Sequence, residues 1–286
     1  MLQSTDIAIL MATYNGECYL SEQIDSLLAQ TSQNWHLYVH DDGSKDRTVS
    51  IVKKYIGEHP EKITLLEYPP QGGPCRNFLS MLERVEASYY MFCDQDDVWL
   101  PEKVSQSLDA MTDEESVNPH KGVVVFTDLS VVDEHLDVIF VSMWEYSGLY
   151  PQYIRTFSDA GGHTVLATGC TMLFNQQAKE SCLRFESSKA VMHDIWLCLC
   201  TLGLGGILHG INKPLVLYRQ HGNNFFGSGK TKASSVNLIY RLLNLKKILR
   251  SNQRYYFMLS ELGYGSVLKY IVNKMKYNIR IKRKHY

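Results

Sequence analysis

The sequence predicts an α/β protein built on a mostly parallel, doubly wound central sheet flanked by helices, with a C-terminal helical extension. Three observations predict it. Short apolar runs alternate with amphipathic helical patterns through the first hundred residues. Several of these runs end in a polar cluster carrying carboxylates. After residue 225 helical spacing with a basic bias replaces the strand pattern.

The elements follow in order. Residues 7–11 are apolar and break at Thr13-Tyr14-Asn15-Gly16, as a buried strand does on entering a turn. Leu20, Ile24, Leu27 and Leu28 then share one helical face. Residues 35–40 form a second strand that ends at Asp41-Asp42-Gly43-Ser44, and Ser44 or Asp46 can cap the next helix, with Val49, Val52 and Ile56 inward. A third strand covers 63–67, and a Gly72-Gly73-Pro74 loop leads into a helix over 75–85. The fourth strand, 89–93, runs into Asp94-Gln95-Asp96-Asp97. A fifth is expected over 122–129, and a loop and strand over 164–174. A helix over 193–202 follows, then two short strands in 207–218 split by Asn212-Lys213-Pro214. The expected division is a catalytic-type domain over 1–225 and a basic helical extension over 226–286.

In a doubly wound sheet the ligand crevice lies beyond the carboxyl ends of the strands. The clusters at 13–16, 41–44 and 94–97 should therefore meet there, although they are distant in sequence. Three acids as close as Asp94, Asp96 and Asp97 repel one another unless a cation relieves them, and oxygen donors suit Mn²⁺ or Mg²⁺. The competing explanation is that they favour a helix N-terminus. Asp41 and Asp42 could accept from a nucleobase or ribose, or form an Asx turn. Thr13, Tyr14 and Asn15 offer polar groups and a ring to the same base. His193-Asp194 opens a helix, where Asp194 is either a general base or a cap. Arg219 could hold phosphate oxygens bidentately and His221 could ligate a metal. No phosphate-cradling glycine motif is present, so metal and side chains must meet the phosphate charge.

Composition narrows the class. A chain of 286 residues with 45% hydrophobic content supports a sizeable core. Seven cysteines, an odd number without paired spacing, argue against a disulfide framework. The first residues lack a signal-peptide pattern, and no run is apolar enough to span a membrane, so a cytoplasmic protein is expected. The net charge of -1 hides an asymmetry: residues 241–284 hold twelve Lys or Arg and one Glu. Leu238, Leu242, Leu245 and Leu249 lie at helical spacing beside Lys246, Lys247 and Arg250. Such a helix could dock on the inner face of an anionic membrane, pack on the domain, or join a homodimer. A nucleic-acid partner is not expected beside an acidic crevice.

These motifs together resemble the family 2 glycosyltransferases, which have the GT-A fold. The resemblance runs through most of the first 225 residues. Residues 9–16 look like the family's opening strand and nucleotide loop, 20–31 like its first helix, 41–44 like its base-binding turn and 94–97 like its Asp-x-Asp metal motif. The resemblance implies Asp96 as principal metal ligand, with Asp94 near ribose or metal and His221 completing the site. It implies Asp194 as catalytic base and the loop at Gly169, with His193, facing donor and acceptor. Residues 73–78, with Arg76 taken as a nucleotide contact, and 218–224 are similar to a rhamnosyltransferase-like branch. The implied reaction is inverting sugar transfer from a nucleotide diphosphate, with dTDP-L-rhamnose as the donor and a UDP-hexose as the alternative, onto a lipid-linked oligosaccharide acceptor. Rival expectations are a nucleotidyltransferase, which would show a Gly-rich basic loop after the first strand, and a non-catalytic glycan-binding scaffold.

Overall fold

A computed structural model describes residues 7–148, 154–160, 167–222 and 245–282. The first half alternates strand and helix: β1 (Ile7–Thr13), α1 (Leu20–Leu28), β2 (Trp35–Asp41), α2 (Thr48–Glu58), β3 (Ile63–Leu65), α3 (Pro74–Arg84) and β4 (Tyr89–Cys93). There follow β5 (Val98–Trp99), α4 (Lys103–Val117), β6 (Val123–Val132), β7 (Val138–Phe140), α5 (Met143–Ser147) and α6 (Phe157–Ala160). The described chain continues with β8 (Met172–Asn175), α7 (Gln176–Leu183), α8 (His193–Gly203) and β9 (Ile207–Arg219). Its last elements are α9 (Leu245–Glu261) and α10 (Val267–Lys282).

One sheet runs β3-β2-β1-β4-β8-β6-β9-β5, with β7 paired to β6. The four strands β3, β2, β1 and β4 are parallel, and β8 is reversed between β4 and β6. The mostly parallel sheet is as expected. β1 shows why it is buried on both faces. Ile7, Ile9 and Met11 join one apolar cluster with α1 and α2 residues, while Ala8 and Leu10 join another with Phe78 and Leu82 of α3. A strand alternating between two cores reads as continuously apolar, which is how it was recognised.

Two strands differ from expectation. β6 extends to Val132, past Asp128, and β9 is one long strand where two short ones were expected. The interruption at Asn212-Lys213-Pro214 is a register shift: Thr127 pairs with Ile211, but Asp128 pairs with Pro214. A bulge absorbs the residues that a proline-bearing break suggested would end the strand.

The expected boundary at 225/226 lies outside the described residues, as do Leu238 and Leu242. Beyond it, α9 turns Tyr255, Met258 and Leu259 into the same core as Phe78 and Trp196, and Leu262 joins them just past its end. Tyr255 Oη also donates to the Ala160 carbonyl at 3.1 Å.

Candidate functional site

The parallel register brings Thr13 level with Asp41, and Met11 level with Cys93. The three polar clusters therefore emerge together at one end of the sheet. Much of their polarity is spent on holding the loops in place. Asp41 accepts from Gly43 N, Ser44 N, Ser44 Oγ and Thr13 Oγ1, an Asx-type turn closed from four sides. Asp42 accepts from the backbone N–H groups of Gln71, Gly72 and Gly73, which fixes the loop that starts α3. Asn15 Oδ1 takes the Lys45 N–H at 2.9 Å. Thr13 is wholly buried, which corrects its expected contact with a nucleotide: its hydroxyl serves Asp41 instead. Tyr14 stands apart from these braces, with 54% of its surface exposed at the crevice.

Gln95 carries no functional signal in the sequence, because its partners are backbone groups. Its Oε1 accepts the Tyr14 N–H at 2.9 Å and its Nε2 donates to the Tyr14 carbonyl at 3.0 Å. A Cβ on Gly16 would collide with the Gln95 carboxamide and push it aside, so glycine leaves room for this approach. One carboxamide thus pairs with both polar groups of one residue and locks the loop after β1 to the loop after β4. Only Gln or Asn carries a donor and an acceptor suited to that task. Gln95→Ala is expected to raise the KM for a nucleotide donor roughly tenfold while leaving kcat within about twofold, since two hydrogen bonds of about 1 kcal/mol each hold the loop. Initial-rate kinetics check this; a fall in kcat alone would place the clamp's effect elsewhere.

The carboxylates differ sharply in surroundings. Asp96 Oδ2 lies 2.8 Å from His221 Nε2, and the His221 ring packs on Tyr19 with centroids 4.8 Å apart. Burial, with the charges of Asp96 and then Asp194, pushes Asp94 up to about 7. Asp97 is fully buried, accepts Arg219 N at 3.2 Å and is driven well above the carboxylate range by burial and its acidic neighbours. Donor atoms of Asp94, Asp97 and Cys170 lie within 4.8 Å of one another. That trio suits a hard cation poorly, because burial and Asp97 keep the Cys170 thiol protonated. Carboxylate oxygens with one imidazole suit Mn²⁺ or Mg²⁺ by donor type, and Asp96 and His221, in contact at 2.8 Å, offer both.

Asp194 sits in the first turn of α8, where Gly169 N donates to it at 3.1 Å and its own neighbour Ile195 N at 2.6 Å. Burial lifts it to about 6 despite those bonds. Its charge contributes to the shift at Asp94, so the base candidate lies near the acidic cluster. His193 corrects an expectation. Its ring is stacked on Phe78 at 4.1 Å and edge-on to Phe92 at 4.7 Å, beneath Gly169. A Cβ at Gly169 would come 2.7 Å from His193 Nε2. Burial lowers His193 to about 3, so it is a neutral ring supporting the loop from the core side rather than a group facing substrate.

Arg219 is the second correction among the charged residues. Its side chain is 1% exposed. Nε donates to the Asp96 carbonyl at 2.9 Å, one amino group to the Glu134 carbonyl at 2.7 Å and the other to Glu22, while the guanidinium lies 4.5 Å from the Tyr19 ring centroid. It anchors the loop that carries Asp96, and its donors are directed to protein acceptors. Arg76, in the first turn of α3, is exposed next to the loop that Asp42 holds.

The sequence profile described as "Glycosyl transferase family 2" matches residues 8–180, more than half of the chain. The chain belongs to glycosyl transferase family 2. It is 26% identical to the dTDP-rhamnosyl transferase RfbG of Shigella flexneri, over 96% of this chain and 95% of that one. It is 32% identical to WfgD of Escherichia coli, a UDP-Glc:alpha-D-GlcNAc-diphosphoundecaprenol beta-1,3-glucosyltransferase, over 37% of this chain and 40% of that one. Its fold is similar to the mannosyltransferase PcManGT from Pyrobaculum calidifontis, solved with GDP-Man and Mn²⁺. The TM-score is 0.56 at 14% identity, over 94% of this chain and 87% of that one. The architecture is thus that of the GT-A glycosyltransferases, and the chain is a glycosyltransferase.

Proposed function

We propose that this enzyme transfers L-rhamnose from dTDP-L-rhamnose, with inversion, to a hydroxyl of a lipid-linked oligosaccharide during assembly of a bacterial surface polysaccharide. The observation that carries the reaction type is Asp194: a carboxylate in the first turn of α8, braced by the Gly169 N–H, lifted to about 6 and close enough to Asp94 for their charges to interact. A base with that affinity is largely ionised at neutral pH yet strong enough to take a hydroxyl proton. As the acceptor oxygen attacks the anomeric carbon, Asp194 receives its proton and the bond to the nucleotide diphosphate breaks. Inversion follows from the single displacement.

Tyr14 offers its exposed ring to the base, held in place by Gln95, and Arg76 supplies charge for the phosphates. Asp94, Asp96 and His221 would hold Mn²⁺ or Mg²⁺. When bound, that cation offsets charge on the leaving diphosphate. The rhamnosyl assignment draws on the match to RfbG across nearly both chains. The lipid-linked acceptor draws on the diphosphoundecaprenol in the WfgD name. The same relative favours a second reading, in which the donor is a UDP-hexose.

The test is a thermal-shift panel of dTDP, UDP, GDP and ADP, each with and without Mn²⁺, on wild type and Asp96→Ala. A nucleotide at about 100 times its Kd adds roughly 2.7 kcal/mol of stability. The expected result is stabilisation by dTDP that needs Mn²⁺ and vanishes in the variant. A response confined to UDP would move the donor to a UDP-hexose, and silence toward every nucleotide would defeat the donor-site reading.

A further inference from the structure

The last described helix presents an apolar stripe to water. One side of α10 is held by the protein. Tyr270 is buried with its ring centroid 6.3 Å from Tyr255 and 5.7 Å from Tyr256. Asn273 Nδ2 donates to the Ser158 carbonyl and the Tyr264 hydroxyl, and Lys274 Nζ to Asn252 Oδ1. On the other side Val267, Leu268, Ile271, Val272 and Met275 recur at the three-to-four-residue spacing of one helical face. All five are exposed, Leu268 by 70% and Met275 by 60%. Single exposed apolar residues need no explanation, whereas a continuous row of them marks a contact surface.

We infer that this stripe docks on an anionic lipid bilayer. Charge selects that occupant. Residues 241–284 carry twelve cations against one acid, and that acid, Glu261, is paired with Lys189. Exposed Lys269 and Lys276 fall by helical spacing along one edge of the stripe, and α9 adds exposed Arg250 and Arg254. Two copies meeting through this region would set like charges against one another, while acidic headgroups neutralise them. None of the described helices is long and apolar enough to cross a membrane. A two-faced helix with a cationic border instead lies in the interface plane, its apolar side in the acyl boundary. The sequence pattern had pointed to the segment ending at Leu249. In the fold, α9 gives much of its apolar surface to the protein core, and the uncovered row belongs to α10.

This inference stands apart from the choice of donor, because lipid binding is measured without nucleotide. The full chain is floated with vesicles of phosphatidylglycerol and phosphatidylcholine in equal parts, and with phosphatidylcholine alone. The wild type is expected to float with the anionic vesicles and to be released as salt rises. Leu268→Asp with Met275→Asp is expected to lower partitioning at least about tenfold. Lys269→Glu with Lys276→Glu should do likewise, at about fivefold for each cation near the surface. Both double variants should keep the wild-type melting temperature and nucleotide response, which separates lost docking from lost folding. Failure of the wild type to float, or unchanged binding by both variants, overturns the inference. So does a lipid-free dimer that Leu268→Asp with Met275→Asp converts to monomer, which would assign the stripe to a second copy.

Discussion

Asp194→Asn is expected to lower kcat by about 10²–10⁴-fold, the range for losing a general base, with the donor KM little changed. The wild-type kcat should fall as pH drops through about 6, the value to which burial lifts this carboxyl, and the variant's residual rate should lack that limb. The same substitution should stabilise the fold. A carboxyl at 3.8 in the unfolded chain and about 6 in the folded one binds its proton more tightly when folded. Stability tied to it is therefore full below about 4 and lost as pH rises through about 6. At neutral pH the ionised group is a burden that Asn lacks. At about 1.4 kcal/mol per unit, less what Gly169 N and Ile195 N lose in acceptor strength, the gain reaches up to about 2 kcal/mol. Kinetics across pH and a melting curve at pH 7 check both halves. A variant that is inactive and also less stable would point to a scaffolding role for Asp194.

Arg219→Ala is expected to cost about 2–4 kcal/mol, the scale for truncating a large buried side chain and leaving the acceptors it served unpaired, since its ionic partner Glu22 is half exposed and can turn to water. It strips donors from the Asp96 carbonyl, the Glu134 carbonyl and Glu22 at once, and leaves Tyr19 without its cation. Denaturant unfolding measures the loss. Arg219→Lys should recover little of it, because an ammonium cannot fork to several acceptors in one plane. If Arg219→Ala were as stable as wild type but defective in donor binding, the phosphate contact first expected for Arg219 would be restored.

The sequence made the sheet legible because β1, β2 and β4 are short, rich in apolar residues and ended by turn residues, so their carboxyl ends could be aligned without coordinates. The same logic located the crevice and its acids. What the pattern could not carry was direction. Arg219 and His193 have the right chemistry for a site, but a side chain turned inward and one turned outward look identical in one dimension. Burial of His193 between Phe78 and Phe92 depends on α3 and β4 meeting α8, contacts between segments about a hundred residues apart. Gln95 was hidden for a related reason: its partner is the backbone of Tyr14, and backbone groups leave no trace in composition. The bulge in β9 was misread as a break because proline and asparagine signal either one.

The pairing of Asp96 with His221 spans 125 residues, and that of Arg219 with Glu22 spans 197. The acidic loop after β4 is therefore completed by residues made long after it. A chain emerging from the ribosome has the loops after β1 and β2 early, but its acidic cluster lacks imidazole and guanidinium until β9 docks beside β6 and β5. Long-range closures of this kind are slow to form. Activity thus becomes a readout of finished folding, and a truncated or half-folded chain has no assembled centre at which to spend an activated sugar.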